Sequence, residues 1–69
     1  MKILKSGVVI RVTEDKNDYF EVGKEYQFTL RQTSSGMKYY RVEHKDEWGR
    51  DDYTKYDLKS FVQQFKIKE

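Results

Sequence analysis

Cysteine and proline are both absent from this chain, and no apolar run approaches the length of a membrane span. Without cysteine there is no disulfide framework and no thiolate metal site. A bilayer-spanning helix needs roughly 18 consecutive apolar residues, which excludes one here. The opening Met1-Lys2-Ile3-Leu4-Lys5-Ser6 is too short and too charged for a signal peptide, so a cytoplasmic location is the default expectation. Glycine is scarce, with four residues in 69, and no cluster of them forms a phosphate-cradling loop. Histidine occurs once, at His44, with no serine near it in a nucleophile-elbow pattern, so it is expected to be an exposed and inert strand residue.

What the chain has is charge and aromatic rings. Charged residues make up 38% and apolar ones only 36%, yet 16% are aromatic. Each buried aromatic ring removes about 150–250 Å² from water, so a core rich in Tyr and Phe, filled in by Val and Ile, is expected to hold so short a chain together. The net charge of +2 is unevenly spread. Lys2, Lys5 and Arg11 make the start basic, residues 43–52 are acidic, and Lys55, Lys59, Lys66 and Lys68 return the end to basic. This charge distribution reads as an ordinary solvated surface or, in the sharper reading, as a basic face assembled from the two termini.

The apolar pattern has period two, the signature of strands with one buried face. Val8, Ile10 and Val12 are expected to point inward from a first strand, alternating with Val9, Arg11 and Thr13. After a polar loop through Asn17 and Asp18, Gly23 suits a turn with positive φ. Tyr26, Phe28 and Leu30 form the inner row of a second strand, and Thr33-Ser34-Ser35-Gly36 reads as a hairpin. Tyr40 and Val42 share the inner face of a third strand, with Tyr39, Arg41 and Glu43 opposite. A second hairpin closes at 46–50, followed by a short strand from Asp51 to Lys55. Asp57 suits an N-cap for one helical turn that points Leu58 and Phe61 inward, and Gln64 to Lys68 is a last strand carrying Phe65 and Ile67 inward.

This predicts a single all-β domain over 1–69, in which five short strands avoid bare edges by closing into a small barrel. The segments Phe20-Glu21-Val22-Gly23-Lys24-Glu25-Tyr26, Tyr39-Tyr40-Arg41-Val42, Trp48-Gly49 and Tyr56-Asp57-Leu58 through Phe61 carry a resemblance to the Src-homology-3-like (SH3-like) barrel, with its helical turn before the last strand. The arrangement is similar to very small barrel proteins of bacteriophages and mobile elements, which implies a binding module and not an enzyme. The Ala-Leu-Tyr-Asp-Tyr, Trp-Trp and Pro-Ser-Asn-Tyr segments of the signalling version are missing, so proline-rich peptides are not the expected ligand.

No cofactor and no metal are expected, because the carboxylates of residues 46–57 match no cation-binding loop and alternate with Lys and Arg. The candidate binding residues are Tyr39, Arg41, Trp48, Arg50, Tyr53 and Lys55, in which rings sit beside cations. Such sets serve as hot spots in protein interfaces or stack exposed bases. The competing expectation places Trp48 over a barrel end and Tyr53 in the core. The leading reading is a protein partner, attracted by the acidic residues around Trp48. Second is single-stranded DNA or RNA held by Lys2, Lys5, Lys66 and Lys68. Third is a small-molecule or nucleotide binder that works as an oligomer, with self-association also adding stability.

Overall fold

A computed structural model describes residues 1–16 and 19–69, so the loop expected at Asn17-Asp18 lies outside the described residues. Five antiparallel strands form one sheet: β1 (Lys2–Arg11), β2 (Glu25–Gln32), β3 (Lys38–Lys45), β4 (Asp51–Tyr56) and β5 (Phe65–Ile67). A helix, α1 (Leu58–Gln64), connects the last two. The spatial order is β4-β3-β2-β1-β5, a meander whose last strand returns to the first. Among the described residues no ladder joins β4 to β5, so hydrogen bonds do not close the sheet. Instead α1 packs against β3, β4 and β5 across that gap.

The inner faces of β2 and β3 are those expected: Phe28 and Val42 are fully buried, with Tyr26, Tyr40 and Tyr56 packed against them. The core is completed by Val9, Phe20, Phe61 and Phe65. Burying one phenylalanine is worth about 2–3 kcal/mol, so four such rings carry much of the stability of a small chain. Phe61 stacks flat on Tyr40, with ring centroids 3.6 Å apart and planes 6° from parallel. Phe20 meets Phe65 edge-on at 5.2 Å.

On β1 the expected faces are exchanged. Val9 and Arg11 point inward, whereas Val8 and Ile10 stand opposite Gln27 and Glu25 on the outer face, and Val12 is exposed. The register decides this, because Gly7 and Val9 pair with Phe28 and Tyr26, and directly opposed residues share a face. Arg11 occupies its inward place as a cation between two rings, with its guanidinium carbon 5.3 Å from the Phe20 centroid and 4.9 Å from that of Phe65. It donates to the Thr13 and Glu14 carbonyls and to the Tyr56 hydroxyl, which ties the β1–β2 loop to the core.

His44 is likewise buried, contrary to expectation. Its ring stacks on Tyr19 at 4.6 Å and meets Phe20 edge-on at 4.9 Å. The Lys45 carbonyl can only accept, so Nδ1–H donates to it at 2.9 Å and Nε2 accepts from the Thr54 hydroxyl at 2.8 Å. A satisfied ring of this kind is apolar enough for the core.

The helix is longer than the single turn expected. Asp57 caps it as predicted, its carboxylate accepting from the Ser60 N–H at 2.7 Å. Phe61 takes the inward position, but Leu58 remains 44% exposed. Residues three apart lie about 60° round the helix from each other, and the stacking of Phe61 on Tyr40 leaves Leu58 at the rim. No helix is long and apolar enough to cross a membrane among the described residues.

Candidate binding surfaces

The turn of the β3–β4 hairpin is organised around the side chain of Asp46. Asp46 Oδ1 accepts from the Trp48 and Arg50 N–H groups at 2.9 and 2.8 Å, and its Oδ2 pairs with Arg50 Nε at 3.3 Å. Backbone bonds from Asp46 N to Arg50 O and from Gly49 N to Asp46 O complete the turn. Gly49 sits at φ +77°, where a Cβ would be strained. The turn holds up Trp48, which is 71% exposed with the Arg50 guanidinium 5.0 Å from its ring. Trp48 therefore does not fold over an end of the core, and Tyr53, 40% exposed, is not a core residue.

The other four candidates meet on the outer face of the sheet. Arg41 stands directly opposite Lys55. Like charges so placed repel, and each turns to a ring: Arg41 lies 3.7 Å from the Tyr53 centroid and the Lys55 ammonium 5.2 Å from that of Tyr39. Arg41 Nε is buried with no hydrogen-bond acceptor among the described residues. The six candidates thus form two groups, separated by the two rows His44–Asp52 and Lys45–Asp51, about 7 Å of strand, and then the turn. A depression of about 330 Å³ lies between them, lined by Arg41, Glu43, His44, Asp51, Asp52 and Tyr53. Both nitrogens of His44 are engaged, so it offers that depression no free base.

The acidic segment is partly neutralised. Asp46 pairs with Arg50 and Asp51 with Lys45, whose ammonium holds the Asp51 carboxyl below its usual range by hydrogen bond and charge. Glu43 and Glu47 form no ion pair among the described residues, and Asp52 accepts only from the Tyr53 N–H. Negative charge is thus left around Trp48.

The terminal lysines do not gather into one face. Lys66 pairs with Ile10 and the Lys68 N–H with the Val8 carbonyl, so both lie beside the second half of β1, while Lys2 and Lys5 lie in its first half. Lys68 is also ion-paired with Glu25. No group of His, Asp or Glu able to hold a metal ion occurs among the described residues. Comparison of the chain with protein-family models, with curated proteins and with solved structures finds no match in any of the three.

Proposed function

We propose that this chain is a non-enzymatic binding module that docks a partner protein through its β3–β4 hairpin, with Trp48 as the anchor. The observation that carries this reading is the contrast at that tip. Trp48 is 71% exposed and serves no core, yet Asp46 fixes the turn beneath it. A large ring presented on a rigid support loses little conformational freedom on binding, and tryptophan and arginine are enriched among interface hot spots. Glu43, Glu47 and Asp52 form no ion pair among the described residues, and their charge favours a partner with a basic rim. The element order supports reading the sheet as an SH3-like barrel in which α1 stands across the open side, the form also suggested by the resemblance to small phage and mobile-element proteins.

The test is capture from a bacterial lysate on the immobilised protein, wild type beside Trp48→Ala. The variant should lose the captured protein while its circular dichroism and melting temperature stay those of wild type, since exposed substitutions usually shift stability by less than about 0.5 kcal/mol. Capture undiminished by Trp48→Ala would sink the proposal.

A further inference from the structure

The pairing register gathers charges that the sequence scatters. Four consecutive cross-strand rows make up one end of the sheet: Lys2-Gln32-Lys38, Ile3-Arg31-Tyr39, Lys5-Leu30-Tyr40-Tyr56 and Ser6-Thr29-Arg41-Lys55. They hold six cations, Lys2, Lys5, Arg31, Lys38, Arg41 and Lys55, and no carboxylate. None of the six forms an ion pair among the described residues. Among the described residues Arg31 donates to Thr29 Oγ1 and the Met1 sulfur alone, and Arg41 Nε has no acceptor. Asp57, two residues from Lys55, is engaged as the cap of α1, and Glu43 lies equally close in sequence to Arg41. The carboxylates Glu25, Asp51 and Asp52 lie toward the opposite end, where Trp48 is, and Glu43 stands opposite Tyr53, two rows beyond Arg41.

Six uncompensated cations packed into four rows repel one another, and an anionic ligand would relieve that repulsion. The cations here alternate with rings. Tyr39 and Tyr53 stand on the outer face beside Lys55 and Arg41, and the Arg41 guanidinium lies on the Tyr53 ring at 3.7 Å. Rings and guanidinium planes are surfaces on which unpaired bases stack, while lysines on either side track phosphates. An acidic protein segment would use the cations but not the ring faces.

We propose that the outer face of this end of the sheet binds single-stranded nucleic acid, with Arg31, Arg41 and Lys55, which share that face with the rings, contacting phosphates and Tyr39 and Tyr53 stacking bases. Lys2, Lys5 and Lys38 stand on the other face and add only to the charge of this end. The site is separate from the Trp48 tip, so the chain would bridge a nucleic acid and a protein.

The test is fluorescence anisotropy with labelled twelve-nucleotide oligo(dT) and oligo(U), titrated at about 50 and 200 mM salt. Binding should weaken steeply with salt. Replacing Arg31 and Lys55 together by Gln should lower the slope of log affinity against log salt by about 1.4, at roughly 0.7 per phosphate contact. Tyr53→Leu should weaken binding on the order of tenfold. Lys66→Gln, outside the four rows, should leave it unchanged. Circular dichroism confirms the fold of each variant. The proposal is overturned by no binding at the lower salt, by equal affinity for poly-glutamate of matched charge, or by the double variant binding as wild type does. Salt-sensitive self-association without oligonucleotide binding would also overturn it, and would assign the cationic end to the acidic tip of a second copy.

Discussion

Arg11 shows how a residue can satisfy two demands at once. Its guanidinium fills an inward position between Phe20 and Phe65, and its N–H groups hold the loop carbonyls that follow β1. Gly7 is the complementary case, where the missing side chain is what matters. A Cβ built there would come within 3.1 Å of Phe28 Cε1. The Phe28 ring is buried and wedged between Tyr40 and Phe61, at 5.8 and 5.5 Å, so it has nowhere to retreat. Gly7→Ala should therefore destabilise the fold by about 1–2 kcal/mol, as overpacking does, instead of stabilising it as Gly→Ala at an open strand site would. A urea-unfolding midpoint at or above that of wild type would contradict this.

Among the elements, α1 depends most on one polar contact. It has no acidic residue in its first turn and no basic residue in its last, so Asp57 is its main electrostatic support. The Ser60 N–H holds the Asp57 carboxyl below its usual range. Asp57→Ala should lower the melting temperature, and Asp57→Asn should restore most of the loss, because an amide oxygen also accepts from the N–H groups of a first turn. Equal losses for the two variants would point to a role for the charge beyond capping. The hairpins differ from the helix in kind. Their turns were legible because Thr33 with Gly36 and Asp46 with Gly49 encode them locally.

At the scale of the whole molecule, the titrating groups set a window of pH stability. Asp51 and Asp57 have carboxyls lowered from 3.8 in the folded chain. Their contribution is present above that value and is lost as pH falls through the lowered folded values. Tyr56 is raised from 10.0, chiefly by burial. Its contribution is present below 10.0 and is lost as pH rises above it. Urea midpoints should accordingly be flat between about pH 5 and 9 and fall on both sides, with Tyr56→Phe removing part of the alkaline fall. A profile unchanged down to about pH 2 would refute the acid limb.

The positions of β2 to β5, the hairpins, the Asp57 cap and the inner faces of β2 and β3 followed from the sequence by itself, because period-two patterning and turn chemistry act between near neighbours, whereas β1 begins at Lys2, six residues before the expected Val8. The inward face of β1 did not, since Val8-Val9-Ile10 is apolar on both sides and only pairing with Tyr26 and Phe28 chooses between them. His44 and Arg11 looked like surface residues until the rings of Tyr19, Phe20 and Phe65 closed around them. The cationic end was hidden for the same reason. Lys2, Lys5, Arg31, Lys38, Arg41 and Lys55 are spread along most of the chain and become neighbours only through strand register. Residue type and local spacing determined which elements form, while the tertiary pairing decided which charges and rings share a surface, because electrostatic and stacking contacts depend on distance in space and not along the chain.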